Sequence, residues 1–446
     1  MIPSILGMFV FLSPGTCSEQ NTSVVYTFEQ TVFGLSTGEL DPTHPGPEVA
    51  VLLDDGSIAI LSPSTGGWQL VHASEPTQTI EYMAFRPTIE IGDVHSSYEG
   101  NEVVIEAGLL VSCFFRNQQG EWKRETVFDG SNGGALRWGV RVGDIDPDHP
   151  GDEIYDSWEG FHDVGFGSIY RESAGTWEEE WTYIDGSVCM DSAIGDVDPD
   201  LPGNEIIMVS ELGPTFELRR PTVSIGNEWP RVTIWDNEDQ AGWVVKIADI
   251  EPDRPGNELA FGTRYSNSLA ISRRIAPGEH ELQVIFAGER TARTMWDIAV
   301  GDLWTASKEL EIVGVDETGN LYAAWKSDGT WRGASLLELK GNPLNAVVMS
   351  DFDADRPGRE ILIGGQSGEL ILVEPVTPFF KLGDMNCDGV MDGRDIRAFV
   401  LAGIDPNVFA TAYPACNCLA GDFDDDQTIA ESDIAPFLSV LLAPAN

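Results

Sequence analysis

Along most of the chain, short apolar runs alternate with turns rich in Asp, Pro and Gly. The 3.6-residue period of a helix emerges only near the C-terminus. One turn recurs seven times, beginning at Gly38 (GELDPTHPGPEV), Gly92, Gly143 (GDIDPDHPGDEI), Gly195, Ala248, Gly301 and Ser350. The spacings are 54, 51, 52, 53, 53 and 49 residues. Its eleventh place is always glutamate: Glu48, Glu102, Glu153, Glu205, Glu258, Glu311 and Glu360.

Each period reads as four strands. In the third these are Trp138–Val142, Glu153–Ser157, Ser168–Glu172 and Trp177–Ile184. Four short strands in about 50 residues is the size of one propeller blade. The predicted fold is therefore mainly β: a seven-bladed β-propeller over residues 19–375. The seventh unit holds only three strands before the chain changes character. Ser23–Gln30 resembles the fourth strands Trp122–Asp129 and Trp331–Leu337, so it is expected to close the last blade and remove an open sheet edge.

A linker spans residues 376–382, and a small α-helical domain is expected over 383–446. Two 12-residue segments there carry oxygen ligands at matching places. The first has Asp384, Asn386, Asp388, Asp392 and Asp395; the second has Asp422, Asp424, Asp426, Thr428 and Asp433. This is the calcium-loop spacing of an EF-hand, with Asp at the twelfth place. Each loop runs into an apolar ladder, Ile396/Phe399 and Ile434/Phe437, that predicts a helix. The loops start 38 residues apart. The pair resembles a type I dockerin, a duplicated loop–helix module of secreted bacterial enzymes and scaffold complexes. That resemblance covers Gly383–Leu442. It implies calcium in both loops and a cohesin-like protein or cell-surface component as partner. Gln427 stands where the second loop should have Gly. A calcium-stabilised stalk or sorting module would fit the same residues.

Acid also alternates in four of the repeated turns. These are Asp144/Asp146/Asp148 with Glu153, Asp196/Asp198/Asp200 with Glu205, Asp249/Glu251/Asp253 with Glu258, and Asp351/Asp353/Asp355 with Glu360. Carboxylates at i, i+2 and i+4 can converge on a hard cation. The turns resemble the FG-GAP/VCBS repeats of integrin-type propellers, which implies calcium in each. They depart from that pattern, because Pro-Gly replaces Gly and the closing acid comes one residue late. Units one, two and six lack most ligands; unit six has Trp304 and Ala306. A mechanical reading is also open: Asp-Pro and Pro-Gly make rigid turns, and Asp side chains cap backbone N–H groups.

Composition narrows the classes. The chain has 73 Asp+Glu and 26 Lys+Arg, a net charge of −47. Non-specific nucleic-acid binding and adhesion to anionic membranes both need a basic face. Disorder is excluded by 42% hydrophobic residues and 13 Trp. No run of 18 apolar residues predicts a membrane span. The apolar start, Met1–Ser13, reads as a signal peptide over residues 1–18 without a basic n-region, or else as an apolar strand. The localisation expected is secreted or cell surface, with a monomeric propeller. Of six cysteines, Cys387 with Cys416 or Cys418 fits a disulfide in the small domain, while Cys113 and Cys189 read as buried thiols.

Catalytic residues are not evident; no His-based metal site, nucleophile triad or phosphate loop is visible. The face opposite the acidic turns gathers Trp138, Glu159, His162, Asp191, Trp243, Arg264, Trp296 and Asp297. Aromatic rings beside charged groups suit a sugar. A Trp recurring at one place of each unit also reads as packing between blades. Three functions remain open: a propeller that binds a polysaccharide or protein, a polysaccharide lyase or glycosidase working on that face, and a structural adhesion protein.

Overall fold

The computed structural model describes residues 20–442, apart from 42–45, 65, 77–86, 99, 131–135, 150, 160–164, 185–188, 201–202, 211–214, 219–230, 236–241, 265, 289–293, 305–307, 328, 354–357, 376–382, 387–390, 414–415, 417 and 424–427. The chain forms two compact units. One is Ser23–Val373; the other is Glu374–Asn446 together with Met1–Thr22.

In the larger unit the described strands form seven four-stranded antiparallel sheets, here numbered in chain order of their first strands. Six are simple meanders of consecutive strands. In the seventh, Leu344–Ser350, Glu360–Gly365 and Glu369–Pro375 are completed by the chain's first strand, Gln20–Thr27. That strand lies three residues earlier than the Ser23–Gln30 read from the sequence. Each first strand packs on the first strand of the next sheet, and that of sheet seven packs on that of sheet one. The result is a β-propeller.

Burial follows from this stacking. Second strands lie between neighbouring sheets and are covered on both faces, so Glu48–Leu53, Glu102–Ala107 and Glu258–Thr263 are buried throughout. They therefore read as continuous apolar runs rather than alternating ones. Fourth strands such as Trp122–Asp129 and Thr330–Glu338 are half-exposed and polar. Their recurring Trp covers the turn of the preceding sheet. Trp68 lies 5.2 Å from Phe352, ring to ring. Trp177 packs with Val94, and Trp331 with Ile250.

Two backbone features set the inner ring. Six of the seven first strands carry a β-bulge at the same place, the one exception being sheet two. The extra residue of each bulge is Phe33, Trp138, Met190, Trp243, Trp296 or Asn345. The second feature is the glycine that opens the repeated turn. A Cβ on Gly143 would lie 2.9 Å from Ile194 Cγ2, and one on Gly195 2.9 Å from Ile247 Cγ2. At these glycines the next first strand leaves no room for a side chain, whereas sheets five and seven carry Ala248 and Ser350 at the same place.

Among the described residues the smaller unit has three α-helices, α1 (Asp395–Ile404), α2 (Pro406–Ala412) and α3 (Glu431–Leu441). Phe399 and Phe437 stack with centroids 4.1 Å apart. Met385, Ala402, Phe409 and Ile429 complete the core. Cys416 and Cys418 are both disulfide-bonded, and Cys113 and Cys189 are free and buried. Cys387 lies outside the described residues.

Replacing Gly195 by Val should overpack the contact with Ile247 and cost about 1–3 kcal/mol. Urea unfolding of the two proteins measures it; an unchanged midpoint would contradict this packing.

Candidate functional site

The bulges decide the fate of the recurring tryptophans. Trp138 and Trp243 are each 6% exposed and share one cluster with Met190, against which the half-buried Trp296 packs. Trp243 and Trp296 meet edge-on at 5.7 Å. Arg264 lies 4.7 Å above the Trp243 ring, a cation–π contact. The rings fill the space between sheets more than they face a ligand. Glu159 ends the strand Glu153–Glu159. Its side chain, and all of His162, lie outside the described residues.

The two aspartates beside these rings are interior staples. Asp191 accepts a hydrogen bond from Val245 N at 3.0 Å, and Asp297 accepts one from Val347 N at 3.0 Å. Thr88 Oγ1 accepts likewise from Val140 N at 2.7 Å. In each case a side chain of one first strand holds the backbone of the next, across a sheet boundary. Asp191 is also ion-paired with the buried Arg141, whose guanidinium reaches Glu90 at 3.1 Å and donates to Ser192 O at 2.6 Å. Lys246 stands 3.8 Å from Glu90.

Glu90, Arg141 and Lys246 did not emerge from the sequence as site residues. They occupy one place, two residues before the residue that opens the turn (Gly92, Gly143 and Ala248), and aligning the repeats at that place would have found them. With Phe33, Pro87 and Asp297 they line a cavity of about 20 Å³, room for roughly one water molecule.

The glutamates of the turns serve the backbone. In all seven sheets one carboxylate oxygen accepts two consecutive turn N–H groups. Glu153 takes them from Ile145 at 2.8 Å and Asp146 at 2.9 Å. Glu48, Glu102, Glu205, Glu258, Glu311 and Glu360 do the same at 2.8–3.2 Å. Sheets one, two and six, poor in acid, keep the clamp. The sequence reading made Glu153, Glu205, Glu258 and Glu360 closing metal ligands; their shared geometry is that of a turn clamp.

Burial raises the carboxyl pKa of Glu48, Glu153, Glu258 and Glu360, against the opposing pull of the N–H donors. Glu102 is pushed up to about 8 by burial first, with Asp93 and Glu172 adding repulsion.

The remaining turn acids divide by depth. Asp146, Asp198 and Glu251 are buried, whereas Asp144, Asp148, Asp196, Asp200, Asp249, Asp253 and Asp351 are exposed. Asp353 is intermediate, and Asp355 lies outside the described residues. Asp146 and Asp198 each accept the N–H two residues on, from Asp148 at 3.1 Å and Asp200 at 3.2 Å. These are Asx turns.

In the smaller unit the two loops match. Asp395 is fully buried and accepts from Asn386 N at 3.1 Å and Asp392 N at 2.7 Å. Asp433 is fully buried and accepts from Phe423 N at 2.6 Å and Ala430 N at 2.9 Å. Asp384 and Asp422 are buried at the loop starts. Asp392 pairs with Arg394 at 2.9 Å, and Thr428 is half-buried. Asp388, Asp424 and Asp426 lie outside the described residues. Among the described residues no three His, Cys, Asp or Glu side chains converge as a metal site.

No protein-family profile matches the chain, and no curated protein matches it. Solved structures match in fold. The chain is similar to BBS1N in complex with ARL6DN, from a lead-soaked crystal, at a TM-score of 0.53 and 10% identity over 82% of this chain and 99% of that one. The mercury-soaked crystal gives 0.51 and 10% over 81% and 98%. YCF48 from Cyanidioschyzon merolae gives 0.46 and 12% over 79% and 98%. At such identities the BBS1N likeness defines the class of fold, a β-propeller, and goes no further.

Two predictions follow from the interior charges. The raised pKa of Glu102 adds stability that is fully present below pH 4.5 and is lost as pH rises through about 8. Glu102→Gln should remove this decline, so the wild type should lose melting temperature relative to the variant between pH 5 and 8.5. Glu102→Ala should cost roughly 2–4 kcal/mol, because two buried N–H groups lose their acceptor. Arg141→Met should cost roughly 3–5 kcal/mol by leaving Asp191 buried without its cation. Chemical denaturation measures both losses.

Proposed function

We propose that this protein is a secreted, seven-bladed propeller of FG-GAP/VCBS type that binds a polysaccharide or protein ligand. A dockerin-like tail would attach it to a cohesin-like protein or cell-surface component. The observation that carries the binding reading is the burial of Trp138 and Trp243, which pack between sheets instead of facing outward. Among the described residues, the cavity lined by Phe33, Glu90, Arg141, Lys246 and Asp297 has room for about one water molecule. An enzyme on this face would need free carboxylates in a deep pocket, and Asp191 and Asp297 already hold backbone amides.

The tail reading is supported by the matched loops. In each, a buried Asp at the twelfth place ties the loop's start to its end. Two of the roughly four lone-pair sites of each carboxylate are used, which leaves capacity for a metal. Asp384, Asn386 and Asp395 in one loop, and Asp422, Thr428 and Asp433 in the other, fit the hard oxygen donors that calcium takes. Bound calcium would neutralise these acids and hold α1 and α3 in place. The disulfide-bonded Cys416 and Cys418 support export, because such bonds persist in oxidising compartments.

A glycan array combined with a depolymerisation screen, run in calcium, tests the first part. The expected outcome is binding without release of shorter products; any depolymerisation would favour the lyase or glycosidase. For the tail, the full chain should melt at a lower temperature in EDTA than in calcium, because a ligand of the native state alone stabilises it.

A further inference from the structure

We infer that the acidic turns of sheets three, four and five are electrostatic latches closed by the protein's own cations, and are not calcium sites. In each turn a guanidinium or ammonium group pairs with at least one of the side chains that would be the metal's ligands. In sheet three, Arg171 Nε lies 3.6 Å from Asp146 Oδ2 and 3.8 Å from Glu153 Oε1. His149 Nδ1 lies 3.3 Å from that same Oε1. The middle acid and the closing acid of the expected set thus share a cation. In sheet four, Arg274 Nη2 bridges Asp198 at 2.7 Å and Asp200 at 2.5 Å. In sheet five, Glu251 is ion-paired with Arg273, with Lys326 at 2.8 Å and with Arg254 at 3.2 Å. These contacts hold the Glu251 carboxyl at about pKa 2 against the opposing effect of burial.

The source of the cations gives the arrangement its purpose. Arg274 belongs to the third strand of sheet five and clamps the turn of sheet four; Lys326, in the third strand of sheet six, clamps the turn of sheet five. Arg116 in sheet two reaches Asp41 in sheet one at 2.5 Å in the same way. Between sheets two and three the polarity is reversed: His95 is in the turn, and Glu172 of the next third strand lies 3.8 Å away. A metal site would keep its ligands within one turn. Arg171 and Arg273 close the turn of their own sheet from its third strand, whereas Arg274 and Lys326 join neighbouring sheets; together they hold the ring. A calcium ion would have to displace a partly buried cation from the carboxylates it needs.

This inference is independent of calcium in the tail, and one experiment separates the two. Calcium bound per chain is measured by equilibrium dialysis and atomic emission, on the wild type and on a full-length Asp395→Ala/Asp433→Ala variant. The wild type should bind no more than three ions. The variant should retain at most one, in the turn of sheet seven, where Asp351, Asp353 and Asp355 are outside this inference. Two or more ions retained by the variant would overturn the latch assignment. No ion on either protein would remove the tail reading and leave the latches standing. A complementary variant, Arg274→Gln, should lower the melting temperature equally with and without calcium. A melting temperature for this variant equal to that of the wild type would also overturn the assignment, because Arg274 would then hold nothing.

Discussion

Seven buried glutamates, each taking two backbone N–H groups with one oxygen, are the constraint on which this ring depends. The turn between the first and second strands must reverse direction at the inner edge of a sheet packed on both faces. Its amides are buried there and cannot reach water. A buried donor without a partner costs about 1–3 kcal/mol. A carboxylate supplied from the start of the second strand satisfies two at once and fixes the turn's depth. The turn in turn positions the glycine before it, which lets the next first strand close in.

Charge in the propeller is therefore used chiefly as mortar between sheets. Asp191 and Asp297 hold amides of the following sheet, and Arg141 ties Asp191 to Glu90 across two boundaries. The latches do the same farther from the axis. A −47 chain has few cations to place. Those present go to buried or half-buried carboxylates, where low dielectric makes pairing matter most. The exposed acids, Asp144, Asp196 and Asp249 among them, are left to solvent and keep the surface strongly negative.

Much of the fold was legible in the sequence, because period and strand pattern are local properties. The recurrent Glu was visible as a constant, though its task was not. Carboxylates at alternating places announce a cation without saying whether it is a metal or an arginine some 70 residues away in the chain, as Arg274 is from Asp200. Trp138, Trp243 and Trp296 stood out in the sequence as tryptophans at one place of the repeat. Whether their faces meet a ligand or the next sheet depended on the stagger of two strands, which no single repeat encodes. Glu90, Arg141 and Lys246 were missed because residues of different types on separate repeats show no common motif, although they share one register.

The sequence by itself determined the repeat, its four strands and the paired acidic loops of the tail. Each of these is written within about 50 consecutive residues, where backbone geometry and hydrophobic pattern suffice. Only the tertiary structure decided what the carboxylates face. Their partners come from the turn itself, from the third strand of the same sheet or from the neighbouring sheet, and burial between sheets, rather than any local motif, turned a row of acids into clamps, staples and latches.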